Sequence, residues 1–496
     1  MPVQLKVLFT VAEVFPLVKT GGLADVAAGL PEALKERGVD VRILLPGYRS
    51  VVSLLRTRPV GKPFKPLLSA DRVRLLRSEL PGRGIPIYLI DAPALYDRPG
   101  GPYSDHYGKD WWDNAIRFGV LSKVGALFGS GAGLDGWKAD VLHLHDWHAG
   151  LASAYTHFDP RATAATVYTV HNLAYQGNFD RKVRKALGIS SLAFHMDGLE
   201  FHGNLSFMKA GLYYSDQITT VSPTYARQIQ TREHGCGMDG VIRKRSDRLT
   251  GILNGIDEQT WNPDRDPHLP ARFNADSLAG KAKCKAVLEE RTGLTPDPQG
   301  PIAVMMARMT AQKGWDLFVA AAPALLAEGL RLVAVGGEGP WQAALDRLAA
   351  QYPGRFAVVE AFSEEMAHLA EAGADLFLMP SLFEPGGLTQ LYSQRYGTPP
   401  VVHRTGGLAD SVTQATEANI KNGTGTGFLF NAPTSAALAA AVRTALDLYR
   451  NHPAQWIELR RNAMRKNSGW GAPAERYLGV YESAIDHRRA AAQAYG

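Results

Sequence analysis

Cysteine is nearly absent from this 496-residue chain: Cys236 and Cys284 are the only two. They lack metal-ligand spacing, so neither a zinc site nor a disulfide framework is expected, which fits a reducing, cytoplasmic setting. Long apolar runs are missing too. None approaches the ~20 residues that span a bilayer, and the apolar start at residues 3–9 is too short for a signal peptide, so no membrane partner is expected. The net charge is +6 and the pI about 9.1, yet the longest basic run is Arg243-Lys244-Arg245. Scattered cations suit small phosphates at least as well as nucleic acid, and no nucleic-acid partner is expected. The glycine loop after the first strand, Lys19-Thr20-Gly21-Gly22-Leu23, has neither G-x-x-x-x-G-K-[ST] nor G-x-G-x-x-G spacing, so it is not a P-loop and argues against a standard dinucleotide enzyme. No Asp-x-Asp stands in the strand-end loops, where a Mg²⁺-dependent transferase would hold its metal. No low-complexity tract or solenoid repeat is present.

What the chain does contain is a double series of short, β-branched-rich strands. The first runs 5–11, 39–45, 87–90, 141–144, 166–170 and 217–221. The second runs 302–306, 331–335, 356–359, 376–379 and 400–403, with a helix at 315–326 after its first strand. Strand–helix–strand order predicts an α/β fold of two Rossmann-like, doubly wound parallel sheets. The expected domains are 1–255, 256–475 and a helical tail, 476–496, that packs back on the first. The Pro-, Asp- and Lys-rich stretch 255–300 reads as a poorly ordered hinge.

Chemistry-bearing residues gather where these strands end, which is where two-domain α/β enzymes hold ligands, so an interdomain cleft is expected. Lys19-Thr20-Gly21-Gly22-Leu23 puts a cation and paired glycines at a helix start. The same pattern returns at Thr405-Gly406-Gly407-Leu408-Ala409-Asp410. Such glycines either leave backbone N–H groups free for an anion or allow tight packing. Arg308 and Lys313, five residues apart, can clamp a diphosphate as a planar fork and a point charge. Glu384-Pro385-Gly386-Gly387-Leu388-Thr389-Gln390 sets a carboxylate before a helix start, where Gly387, Leu388 and Thr389 offer N–H groups to oxygen ligands. His143-Leu144-His145-Asp146-Trp147-His148 invites a zinc reading, but no other convincing ligand set accompanies it, and His143 reads as a satisfied core histidine.

Taken together and in order, these segments, with His171-Asn172-Leu173-Ala174-Tyr175-Gln176-Gly177 and Leu253-Asn254-Gly255-Ile256-Asp257, resemble the bacterial glycogen synthase and plant starch synthase family. The resemblance spans residues 7 to about 470. It implies the GT-B fold and retaining transfer of glucose from ADP-glucose to the nonreducing 4-hydroxyl of an α-1,4-glucan, without cofactor or metal. It further implies that Arg308 and Lys313 bind the diphosphate, with Lys19 and Gly22 beside the phosphates. His171 would lie by the anomeric centre, with Asp146, Asn172 and Asn254 nearby, and Glu384 would be the essential carboxylate. Phe362 falls where the family sets an aromatic ring on the adenine; otherwise it is a core residue. The chain departs from the family pattern at Gly386, where cysteine is usual, and at Leu382, where arginine is common. Tyr392 stands where many related retaining transferases carry a second Glu, and in this the chain agrees with glycogen synthases.

Overall fold

The structure, a computed structural model, describes residues 4–360 and 363–495. Phe362 therefore lies outside the described residues. The chain divides into two compact units, Met1–Gly255 with Trp470–Gly496, and Ile256–Gly469.

The first unit is built on a nine-stranded sheet. Its spatial order is Leu249–Gly251, Gln217–Thr220, Ala165–Val170, Val141–His145, Lys6–Thr10, Asp40–Pro46, Ile85–Asp91, Arg74–Leu80 and Arg58–Val60. The first seven are mutually parallel and the last two antiparallel. Every residue of Val141–His145 and Ala165–Val170 is buried. That is why these strands read as unbroken apolar runs rather than alternating ones. Residues 74–80 form no such run, because Arg74 and Glu79 face solvent, and the sequence reading passes over this edge. Helix Gly471–Tyr495 belongs to this unit. Ala474, Tyr477, Tyr481 and Ala484 enter its core, and the Tyr481 hydroxyl lies 2.8 Å from His143 Nδ1.

The second unit holds six parallel strands in the order Phe356–Val359, Arg331–Val335, Ile302–Met306, Leu376–Met379, Pro400–His403 and Phe428–Phe430. Here the structure corrects the expectation of a poorly ordered stretch at 255–300. That segment carries helix Ala279–Thr292, and four of its charged residues, Asp266, Lys281, Lys285 and Glu289, are buried and partnered. Lys285 meets Asp375 at 2.8 Å, Glu289 meets Arg331 at 2.5 Å and Asp266 meets His368 at 2.6 Å. Lys281 Nζ donates to the Ala372 carbonyl at 2.7 Å and to Thr398 Oγ1 at 2.6 Å. A composition that looks solvated is here a set of partners for the rest of the unit.

Both sheets reverse their winding at one place. In the first unit the chain moves from Lys6–Thr10 to Asp40–Pro46 on one side, then returns to add Val141–His145 on the other. In the second, Ile302–Met306 lies between Arg331–Val335 and Leu376–Met379. A crevice opens at the carboxyl ends of the two strands flanking such a switch. In the first unit a loop begins at Val11 and helix Asp146–His157 begins directly after the other strand; in the second, loops begin at Ala307 and Pro380.

Candidate active site

In the first unit, the loop after Thr10 folds around Glu13. This buried carboxylate accepts the N–H groups of Thr20 and of Gly21, the latter at 3.2 Å, and the hydroxyl of Tyr103. Helix Gly22–Glu36 follows, with Gly21 as its N-cap. Lys19 Nζ pairs with Asp25 Oδ1 at 2.8 Å in the first turn. Part of the expected N–H nest is therefore already filled by the chain's own carboxylate, and Gly22 stands at the helix mouth beside it.

Across the switch, Asp146 takes a backbone φ of +54°. This left-handed conformation is strained for a residue with a Cβ. Its Oδ1 accepts the N–H of His171 at 2.7 Å and of Asn172 at 3.4 Å, tying the start of its helix to the loop after strand Ala165–Val170. His171 Nε2 lies 2.9 Å from His145 Nδ1, so one ring donates to the other and their tautomers are linked. Burial depresses His171 to about 3 and His148 to about 3, and holds His143 and His145 well below the ordinary histidine value. Near pH 7 these rings are neutral. His143 uses both nitrogens, on Tyr481 and on Thr169 Oγ1 at 2.7 Å, as expected of a core histidine. Asn254 is buried, and its Oδ1 has no hydrogen-bond partner among the described residues.

Burial raises Asp146 to about 7, against the opposing pull of the two N–H bonds from His171 and Asn172. Unfolded, an Asp titrates near ~3.9. Between those values the folded chain binds the extra proton, so its stability falls as pH rises from about 4 to about 7, by at most on the order of 4 kcal/mol. The depressed histidines act in the opposite direction, losing stability as pH falls below about 6.5. Asp146→Asn keeps an acceptor oxygen but cannot ionise. Urea unfolding of parent and variant at several pH values is expected to show the variant gaining relative stability as pH rises through this window. A pH-independent difference would remove the raised carboxyl from the account.

In the second unit, the loop from Ala307 and the loop from Pro380 are joined directly. Lys313 Nζ meets Glu384 Oε2 at 2.6 Å, and Ser381 Oγ donates to the same oxygen at 3.1 Å. The Leu382 N–H donates to the Gln312 carbonyl at 2.8 Å, and Gln312 Nε2 to the Phe383 carbonyl at 3.2 Å. Gly314 has a φ of +73°, and a Cβ there would strike the Pro380 carbonyl. Arg308 is exposed, and its guanidinium forms no ion pair among the described residues. Glu384 is 6% exposed. Gly387, at φ +67°, and Leu388 precede helix Thr389–Arg395.

The second Thr-Gly-Gly echo proves to be packing. The Gly407 N–H donates to the carbonyls of Glu384 at 2.9 Å and Pro385 at 3.0 Å, so it is not open to an anion. A Cβ on Gly407 would fall on the Gly386 carbonyl. Gly407→Ala is accordingly expected to cost roughly 1–3 kcal/mol of stability, the usual range for overpacking, and to displace Glu384. Urea denaturation at equal protein concentration measures it; an unchanged midpoint would show that the 384–387 loop yields freely.

Sequence reasoning named Lys19, Gly22, Asp146, His171, Asn172 and Asn254 in the first unit and Arg308, Lys313, Glu384, Gly387, Leu388 and Thr389 in the second. It missed Glu13, Tyr103 and Ser381. Glu13 had a signal: it is the one charge in Val11-Ala12-Glu13-Val14-Phe15, and a lone carboxylate in such a run needs partners. Tyr103 and Ser381 had none.

Residues 6–244 match the family model of the starch synthase catalytic domain, and residues 288–463 that of glycosyl transferases group 1. The glycogen synthase of Nitrosospira multiformis is 46% identical over 490 residues, 98% of either chain. That of Aromatoleum aromaticum is 47% identical over 479 residues, 96% of this chain and 97% of the relative. Among solved structures, the catalytic domain of starch synthase IV from Arabidopsis thaliana, bound to ADP and acarbose, superposes with a TM-score of 0.87 at 29% identity, covering 97% of this chain and all of that one. A sucrose-phosphate synthase from Thermosynechococcus elongatus, at 18% identity and a TM-score of 0.57, shares the two-sheet GT-B fold. With relatives matched from end to end and one family model on each of its two sheets, the chain belongs to the glycogen synthase and starch synthase family of glycosyltransferases.

Proposed function

We propose that the chain transfers glucose from ADP-glucose, with retention, to the nonreducing 4-hydroxyl of an α-1,4-glucan. The observation that carries this reading is the Lys313–Glu384 pair at the switch point of the second sheet. It sets a cation beside a buried carboxylate, as needed where a diphosphate leaves and a sugar gains positive charge. Arg308 and Lys313 take the diphosphate. The N–H groups of Gly387, Leu388 and Thr389 meet oxygens of the donor, with Lys19 and Gly22 serving the phosphates from the first unit. His171, neutral, hydrogen-bonds the transferred glucose near its anomeric carbon, with Asn172 and Asn254 beside it. Asp146 holds the His171 loop. Phe362 would meet the adenine. The adenine donor is supported by the starch synthase relative, whose structure carries ADP. No helix among the described residues is long and apolar enough to cross a membrane, and both cysteines are free, which suits a cytoplasmic enzyme.

The assay is glucose incorporation into glycogen with ADP-glucose and UDP-glucose supplied separately. Preference for ADP-glucose supports the reading; transfer only from UDP-glucose would overturn the donor. The same assay tests for metal. Asp264-Arg265-Asp266 is an Asp-x-Asp outside the strand-end loops, and Asp266 is buried against His368 and Tyr396. With lysine and arginine at the leaving group, activity is expected to survive exhaustive chelation. Loss on chelation that Mg²⁺ or Mn²⁺ restores would contradict this.

A further inference from the structure

His145 is the last residue of strand Val141–His145 and the N-cap of helix Asp146–His157. It is fully buried. Its ring stacks on Phe9, with centroids 5.2 Å apart, and is tilted against His143 at 4.2 Å. Close packing of this kind leaves a ring little room to turn. His145 and Asp146, neighbours in sequence, grip the same residue at two points. Asp146 Oδ1 accepts the backbone N–H of His171, and His145 Nδ1 lies 2.9 Å from His171 Nε2. One fixes the backbone of His171 and the other its ring.

The direction of the ring-to-ring hydrogen bond decides what His171 can do. Both rings are neutral, so each carries one N–H and one lone pair. If His171 Nε2 donated, His145 would carry its proton on Nε2. That nitrogen is buried and has no partner among the described residues. As with backbone groups, a buried N–H without an acceptor is the rarer orphan, and an unmet lone pair is tolerated more often. The opposite direction places the His145 proton on Nδ1, which donates to His171 Nε2, and leaves only a lone pair on His145 Nε2. His171 must then carry its own proton on Nδ1. His171 is half-buried, and its ring makes no hydrogen bond among the described residues besides the one to His145.

We infer that His145 is a positioning residue: by donating from Nδ1 it fixes His171 as the Nδ1–H tautomer, so that His171 offers the sugar a donor and not a lone pair. The inference deepens the function proposed above and rests on its placing of His171 by the anomeric carbon. A glucose oxygen can accept from this N–H. The other tautomer would set a bare ring nitrogen, a nucleophile, beside a carbon that is gaining positive charge. Asp146 cannot make this choice, because it holds only the backbone.

The tautomer is read directly by two-bond ¹H–¹⁵N NMR of the full-length protein labelled with ¹⁵N-histidine, since a bare ring nitrogen resonates far from a protonated one. The His171 signals are those missing from His171→Gln. The parent is expected to show Nδ1 protonated. His145→Asn keeps an N–H donor at the position of Nδ1, whereas His145→Leu has none. His145→Leu is expected to lose about ten-fold in kcat, the effect of one hydrogen bond. Its affinity for ADP should match the parent's, and its His171 should populate the Nε2–H form. His145→Asn should restore most of the kcat and the parent's tautomer. An Nε2-protonated His171 in the parent, or Asn and Leu variants with equal kcat, would overturn the role of His145, while glucose transfer by the parent leaves the proposed function standing. A parent that moves no glucose from ADP-glucose onto an α-glucan would instead remove that function, and the role with it, whatever the spectrum shows.

Discussion

Replacing Arg308 by alanine is expected to lower kcat by roughly two to three decades, about 2–4 kcal/mol of lost transition-state stabilisation, and to leave folding stability unchanged. Lys313→Ala is expected to lose a comparable factor and stability as well. The difference follows from the partners. Arg308 is exposed and makes no ion pair among the described residues, so its removal strands nothing. Lys313 holds Glu384, and its loss leaves a nearly buried carboxylate with Ser381 as its remaining donor. Stranding one member of a buried pair costs about 3–5 kcal/mol; Lys313 keeps 20% of its side chain exposed, so the lower part of that range applies. A double variant, Lys313→Ala with Glu384→Ala, should recover stability relative to Lys313→Ala but not activity, if the pair acts as a unit as proposed. Paired kinetics and urea denaturation decide the matter. Near-normal turnover of either single variant at saturating donor would refute the clamp.

How much of this was legible in the sequence depended on distance along the chain. Parallel strands buried on both faces announce themselves as short apolar runs, and the residues just after them, Arg308, Lys313, Glu384, Asp146 and His171, can be read as strand-end chemistry. What could not be read was pairing at long range. Lys313 and Glu384 are 71 residues apart, and Tyr103 reaches Glu13 across 90. Local patterns carry no trace of such contacts. The charged segment after Gly255 misleads for the same reason. Its lysines and acids look solvated until Asp375, Arg331 and His368 arrive from distant strands and helices to meet them. The repeated Thr-Gly-Gly pattern shows the limit from the other side. One sequence sits at a helix mouth near a lysine in one unit, and serves close backbone packing in the other.

Glu384→Gln is expected to fold, bind ADP-glucose and lose most of its turnover, again about 2–4 kcal/mol. Glutamine retains an acceptor oxygen for Lys313 and Ser381 but not the charge that faces a developing oxocarbenium ion. The carboxylate is not expected to bond to the sugar. A double-displacement enzyme needs a free carboxylate as nucleophile on the face opposite the leaving group. Three carboxylates at these switch points already have partners within the chain. Glu384 Oε2 is held by Lys313 and Ser381. Glu13 accepts backbone N–H groups and the Tyr103 hydroxyl. Asp146 holds the N–H groups of His171 and Asn172, and burial pushes it toward its neutral form. At the position eight residues after Glu384, Tyr392 is buried and stacked on Trp261 at 3.8 Å. The reading that remains for retention is attack on the same face as departure. The bond from the anomeric carbon to the diphosphate oxygen breaks, the acceptor 4-hydroxyl oxygen bonds to that carbon, and the departing phosphate takes the hydroxyl proton. In the proposed mechanism Lys313 and Arg308 would stabilise the leaving charge while Glu384 would offset the cation. NMR of the first-formed linkage should show the α-configuration, and mass spectrometry of enzyme quenched during turnover should show no glucosylated peptide containing Glu384. A trapped adduct on Glu384, or a β-linked product, would refute the same-face mechanism.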